Sequence, residues 1–147
     1  MRKTPLYRVI LLLCIFALLA ALLTACAETV IGPVPGVTMV IEAADSKNIS
    51  FFLKNETENE YTYGDPYILY VKQDDAWEPF PTRMKAYFHA IGYNLSPNSQ
   101  TNVITENWYG LYGELPAGEY RFQKDLWYIH SSDGYEEYIV EQDFSLQ

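Results

Sequence analysis

Cysteine is almost absent from this sequence, which has two cysteines, Cys14 and Cys26, in 147 residues. Cys14 lies in an apolar run near the N-terminus, so Cys26 is the single cysteine of the remaining chain. One cysteine cannot form an internal disulfide, and a domain of this length can bury enough apolar surface without one. The sequence therefore excludes the class of small secreted domains that disulfides hold together.

Basic residues are also scarce, with ten Lys and Arg against nineteen Asp and Glu. Three of the ten, Arg2, Lys3 and Arg8, precede Cys26, whereas every acidic residue follows it. The chain from Cys26 onward thus has seven basic and nineteen acidic residues, a net charge of −12. Such a charge repels nucleic acid and anionic lipid head groups, and we expect no nucleic-acid partner.

Catalytic and metal-binding motifs are missing as well. There is no Gly-x-Ser-x-Gly, and the only histidines, His89 and His130, are 41 residues apart. We expect a partly buried His89 and a His130 in a loop. From Asn55 onward, polar residues alternate as they do at the start of a calcium-binding loop. Such a loop needs a glycine at its sixth position and a bidentate acidic ligand at its twelfth, and this chain has Glu60 and Pro66 there. The sequence predicts a non-catalytic protein without metal or cofactor.

The N-terminus has the organisation of an export signal. Residues 1–8 carry the basic residues, residues 9–23 are almost entirely apolar, and Leu-Thr-Ala-Cys ends at Cys26. The apolar run is shorter than the roughly 20 residues that a membrane-spanning helix needs. The whole segment resembles the lipobox leader of bacterial lipoproteins. That resemblance implies a signal peptide at residues 1–25 and a lipid on Cys26; the alternative is an ordinary signal peptide followed by a free cysteine.

Lipidation at Cys26 would place the protein on the outer face of the cell membrane, after secretion through the general export pathway. Two acyl chains hold a protein on a bilayer far better than one. Residues 27–36 contain two prolines and two glycines without any periodicity, so residues 26–36 are expected to be a lipidated cysteine and a flexible tether. Residues 37–147 are expected to form the domain.

Aromatic residues are abundant in this domain, and short apolar segments alternate with turn signals. The clearest segment spans residues 48–55, where Ile49, Phe51 and Leu53 share one face. No sustained helical period is present. About eight strands at this spacing predict an all-β fold, a two-sheet sandwich. The expected strands cover residues 38–42, 48–55, 67–73, 76–80, 86–95, 100–108, the segment from 119 to about 128, and 135–146.

The stretch 108–122 combines turn and core signals. Pro116 and Gly118 predict a turn, after which Tyr120, Phe122 and Leu126 alternate with polar residues. A tyrosine two residues before a core position is similar to the tyrosine corner of immunoglobulin-like sandwiches. Tyr120, Gly118 and Pro116 are therefore a candidate structural corner. The alternative is that Tyr120 is an ordinary core residue at a strand start.

The opposite face of the same segment predicts a contact surface. Glu119, Arg121 and Trp127 share this face, and a large aromatic residue on a polar face indicates a binding role for Trp127 and its neighbour Arg121. The alternative is a β-bulge near Lys124, the one polar residue on the inner face, which would turn Trp127 into the core. For Trp77 and Trp108 we favour core packing or a sheet-edge contact.

Four motifs support a family resemblance. They are Asn-Ile-Ser-Phe from Asn48, Tyr-Thr-Tyr-Gly from Tyr61, Trp77, and Leu-Pro-Ala-Gly-Glu-Tyr-Arg from Leu115. Together they resemble a bacterial immunoglobulin-like domain of lipoproteins and cell-surface proteins. The resemblance implies a non-catalytic protein for extracytoplasmic binding, adhesion or scaffolding, with an envelope protein or polysaccharide as partner. A weaker similarity to a small proteinase-inhibitor domain of bacilli gives the alternative, a tethered inhibitor or a domain that senses the envelope.

Overall fold

A computed structural model of the chain describes residues 30–130 and 134–147. The proposed signal peptide and Cys26 lie outside the described residues, so the lipobox stays a prediction. Within the described ranges, no helix is long and apolar enough to cross a membrane.

Strands dominate the described residues and form two sheets. The elements in chain order are β1 (Val30–Pro33), β2 (Val37–Ala44), β3 (Asn48–Asn55), β4 (Tyr61–Gly64), β5 (Ile68–Gln73), β6 (Ala76–Pro79), β7 (Gly92–Leu95), β8 (Ser99–Gln100), β9 (Ile104–Asn107), α1 (Tyr109–Tyr112), β10 (Gly118–His130) and β11 (Gly134–Leu146).

The first sheet is built around the long hairpin of β10 and β11. Its strand order is β1-β11-β10-β4-β7; β5 also pairs with β10, and β6 pairs with β5. The hairpin register runs from Gly118 opposite Leu146 to His130 opposite Gly134 without a shift. The bulge considered near Lys124 is therefore not formed, and the two-residue alternation of β10 holds along its length.

The second sheet packs over the first. It has the order β2-β3-β8, with β9 also paired to β3. The rings of Phe51 on β3 and Phe122 on β10 lie 5.1 Å apart between the sheets. Ile49, Phe51 and Leu53 are all fully buried, as their alternation predicts, and each such side chain contributes roughly 1.5 to 3 kcal/mol of burial free energy. The predicted all-β, two-sheet immunoglobulin-like sandwich is confirmed.

The structure differs from the sequence-based expectation at three places. Residues 30–33 of the expected tether form β1, which pairs in parallel with β11, and Val34 is buried. Only Gly92–Leu95 of the expected strand over residues 86–95 is a strand. The short helix α1 follows Trp108, although no helix was expected, and Asn107 Oδ1 accepts a hydrogen bond from the Tyr109 backbone at 3.2 Å.

Candidate functional site

One end of the sandwich is closed by buried aromatic rings. The Tyr120 hydroxyl donates to the Pro116 carbonyl at 2.7 Å, and the Tyr120 ring stacks on Phe144 with centroids 5.5 Å apart. A Cβ at Gly118 would meet the Tyr120 ring at 3.4 Å, so the glycine lets the turn approach the ring closely. Pro116, Gly118 and Tyr120 thus meet in one corner, in the arrangement that the sequence suggested for them.

Trp108 fills the same end. It is fully buried, and its ring stacks on Phe144 with centroids 5.7 Å apart. The neighbouring turn is fixed by Asp45, whose carboxylate accepts hydrogen bonds from the backbone of Lys47 at 2.7 Å and Asn48 at 2.8 Å. These backbone donors lower the pKa of Asp45. We call this part of the molecule the closed end.

Arg121, on the outer face of β10, is engaged by its neighbours. Its Nε lies 2.6 Å from Asp143 Oδ1 and its other nitrogens reach Asp143 and Glu141. The guanidinium also stacks over the Trp77 ring at 4.5 Å, a cation–π contact. Six residues, or about 20 Å of strand, separate Arg121 from Trp127. The structure therefore does not bring the two predicted contact residues together.

Trp127 lies on the outer face near the other end, half-buried, opposite Thr62 of β4 and Glu137 of β11. Beside it is a cleft with a volume of about 690 Å³. Its lining is mostly apolar and consists of Thr62, Gly64, Pro66, His89, Ala90, Ile91, Gly92, Trp127, Ile129, His130, Gly134 and Tyr135. We call this the Trp127 cleft, and the part of the sandwich that holds it the cleft end.

Glycines keep the floor of the Trp127 cleft open. A Cβ on Gly64 would lie 3.0 Å from Pro66 Cδ and 3.5 Å from the Trp127 ring, and a Cβ on Gly92 would lie 2.9 Å from Thr62. The volume falls within the range of about 300 to 1,000 Å³ typical of ligand sites, which are mainly apolar with a few polar groups. An aromatic wall of this kind suits a ring or a flat apolar side chain.

The polar groups of the cleft include the two histidines, which the fold brings to one cavity. His89 is exposed, so its expected partial burial is wrong. His130, the last residue of β10, packs edge-on against Tyr128 with centroids 4.8 Å apart, and its Nε2 lies 3.2 Å from Glu136 Oε1. The pKa of Glu136 is lowered by a hydrogen bond from Tyr138 and by His130.

Lys124, the polar residue on the inner face of β10, lies in a second, smaller cavity of about 300 Å³ between the sheets. It is 1% exposed; its Nζ donates to the Asp65 carbonyl at 3.0 Å and lies 3.9 Å from Glu106 Oε1. Burial lowers the pKa of Lys124 and raises that of Glu106. This ion pair, which is buried at Lys124 and partly exposed at Glu106, explains how the inner face accommodates a lysine.

The loop that resembled a calcium site is satisfied by the protein itself. Asn55 is buried; its amide nitrogen donates to the carbonyls of Asn59, Leu95 and Ser96, and its oxygen accepts from Thr57. Over the described parts of the chain, no group of three or more His, Cys, Asp or Glu side chains could hold a metal ion.

Residues 35–145 match the family model of the bacterial Ig-like domain. The chain belongs to this family. The match begins just before β2 and extends through almost all of β11, so the bacterial Ig-like domain includes both the closed end and the cleft end. No curated protein matches the chain. Membership shows the fold and leaves the ligand open, because one fold serves many functions.

The sequence indicated Trp127 but not its cleft. The cleft needs residues 89–91, the turn at Pro66 and the end of the β10–β11 hairpin, which are distant in sequence. The one available signal was apolar character in residues 86–91, which favours a strand by composition. In the structure this segment is a loop, and Ile91 is about half exposed at the cleft.

Proposed function

We propose that this protein is a lipid-anchored bacterial Ig-like domain on the outer face of the cell membrane, and that it binds an envelope protein or polysaccharide through the Trp127 cleft. The observation that carries the proposal is the cleft itself, an apolar cavity of about 690 Å³ with Trp127 as one wall. Its lining of rings, glycines and two histidines fits a sugar ring or a flat side chain of a partner.

The outer face supports this choice because its other tryptophan is already occupied. Trp77 is covered by the Arg121 guanidinium, and Arg121 is held by Asp143 and Glu141. Trp127 instead borders open volume. A partner that covers it gains the burial of apolar surface, which is the main favourable term in association.

A photo-crosslinking residue at Ile91 tests the binding site in intact cells. We expect adducts with an envelope protein or polysaccharide, and we expect Trp127→Ala to remove them. A crosslinker at Tyr87, which is exposed on the same loop but does not line the cleft, is the matched control. Adducts at Ile91 that persist at full yield in Trp127→Ala would contradict the assignment.

The lipid anchor has a separate test. Cys26→Ala removes the only sulfur to which the lipid can be attached at the leader boundary, so we expect an uncut or released protein that incorporates no labelled fatty acid. The measurement is metabolic labelling combined with membrane fractionation. Unchanged labelling and membrane retention in Cys26→Ala would show that the anchor assignment is wrong.

A further inference from the structure

The chain enters the domain near the cleft end. Val30, the first residue of β1, pairs with Glu137 of β11, and Glu137 lies opposite Trp127 of β10. The hairpin register continues for three more pairs, to His130 opposite Gly134. At about 3.4 Å per residue, Val30 therefore lies about 10 Å along the strands from the last pair of the hairpin.

Only three residues, 27–29, lie between Val30 and the proposed lipid attachment site at Cys26. The four Cα–Cα steps from Cys26 to Val30, even fully extended, span at most about 14 Å. A lipid on Cys26 holds that residue at the membrane surface, so Val30 cannot lie farther than this from the bilayer. The connection is much shorter than the expected tether over residues 26–36, because β1 incorporates part of that segment into the sheet.

The surface next to this entry point exposes apolar side chains. Ile129 is 62% exposed, Tyr135 50% and Ile91 49%. Ile129 and Tyr135 are paired across the hairpin and share its outer face, and all three residues border the Trp127 cleft. Exposed apolar groups beside a tyrosine are typical of the membrane interface, where tyrosine is enriched.

Charge favours the same orientation. The described residues that line the Trp127 cleft include two histidines and no carboxylate. Residues 89–91, which form one wall, contain His89 and no acidic residue, in a domain with a strong negative charge. Two carboxylates of the hairpin lie close to this surface: Glu136, whose Oε1 lies 3.2 Å from His130 Nε2, and Glu137, which lies opposite Trp127. This surface is therefore repelled less by lipid phosphates than the rest of the domain.

We propose that the cleft end rests on the bilayer that holds the lipid anchor, with Ile129 and Tyr135 in the head-group region and the Trp127 cleft directly above it. The inference rests on the proposed anchor at Cys26. It goes beyond that anchor by fixing the orientation of the domain. It also restricts the ligand, because the cleft is then accessible to partners close to the membrane surface and the closed end projects away from it.

Site-specific fluorescence quenching tests this orientation on the full lipidated protein in phosphatidylcholine vesicles. Ile129→Cys and, separately, Glu119→Cys are labelled with an environment-sensitive fluorophore; Cys26 is blocked by its lipid. Both positions lie on the outer face of β10, about 33 Å apart. Spin-labelled phosphatidylcholine should quench the label at residue 129 about threefold more strongly than the label at residue 119.

The outcomes separate the orientation from the anchor. Flotation of the labelled protein with the vesicles reports the anchor. A protein that floats and shows equal quenching at the two positions, or stronger quenching at residue 119, overturns the orientation and leaves the anchor intact. A protein that does not float overturns both. Tyr135→Cys, on the paired strand, is a second labelling position and should reproduce the result at residue 129.

Discussion

The two ends of the sandwich use aromatic residues in different ways. At the closed end, Trp108, Tyr120 and Phe144 stack in the interior, and the hydroxyl of Tyr120 is bonded to Pro116. At the cleft end, Trp127 is half-buried and Tyr135 is half exposed, beside a cavity of about 690 Å³. The closed end stabilises the fold, and the cleft end has apolar surface available for contact.

The same strand serves both ends. β10 has unbroken alternation from Gly118 to His130, so its outward side chains are determined by sequence parity. The two outward side chains differ in what contacts them. Arg121 is held by charged neighbours and Trp77, whereas Trp127 borders a cavity. Parity therefore decides which face a residue occupies, and the neighbouring loops decide whether that residue is available to a partner.

The largest effect is expected at the closed end. Trp108→Ala should lower the free energy of unfolding by about 3 to 5 kcal/mol, because it removes a fully buried ring and leaves a cavity beside Phe144. Urea denaturation of the domain from Val30 onward measures this. A loss below about 1 kcal/mol would show that this end contributes little to stability.

A smaller loss is expected at Lys124, between the two ends. Lys124→Ala should cost about 2 to 3 kcal/mol, because it leaves the Glu106 carboxylate without its cation and the Asp65 carbonyl without its donor. Lys124→Met keeps most of the packing and is the matched variant, with a smaller loss. A loss near zero in Lys124→Met would assign the effect of Lys124→Ala to packing rather than to the ion pair.

Lys124 also gives a pH dependence of defined sign. Burial lowers its pKa in the folded state below the ordinary value of 10.5. Between those two pKa values the unfolded chain binds more protons, so the Lys124 contribution to stability increases as pH rises through this window. As pH rises through this window, the unfolding free energy of wild type should therefore increase relative to that of Lys124→Met. If this difference in unfolding free energy stays constant over the alkaline pH range, the lowered pKa of Lys124 is contradicted.

Tyr120→Phe should lower the unfolding free energy by about 1 kcal/mol, because it removes the hydrogen bond to Pro116 and keeps the ring. Tyr87→Phe is the matched control, since Tyr87 is 85% exposed and its hydroxyl is available to water. An unchanged denaturation midpoint for Tyr120→Phe would show that the corner hydrogen bond contributes nothing to stability.

Much of the fold was predictable because β-strands of this sandwich carry a two-residue pattern. Residues 48–55 form β3 within the expected bounds, and the alternation of β10 follows its sequence. β1 was not predictable, because prolines and glycines in residues 32–36 indicate a loop. In the structure, pairing with the edge of β11 makes part of this segment a strand. α1 was missed since four residues give no helical period.

The candidate site was predictable only in part. Trp127 was identifiable from parity, because a large aromatic residue interrupts a polar face. Its cleft depends on contacts between residues 62–66, 89–92 and the hairpin end, which no local pattern reveals. Arg121 shares the face with Trp127 but is held in a separate cluster, since Asp143 and Glu141 face it from β11.

The most direct test of the difference between the two ends is the free energy of unfolding of Trp127→Ala measured beside that of Trp108→Ala. If the cleft end is a contact surface, Trp127→Ala should cost at most about 1 kcal/mol, while Trp108→Ala costs at least about 3 kcal/mol. A loss in Trp127→Ala as large as that in Trp108→Ala would show that Trp127 is a structural residue, and would contradict the assignment of the cleft end to binding.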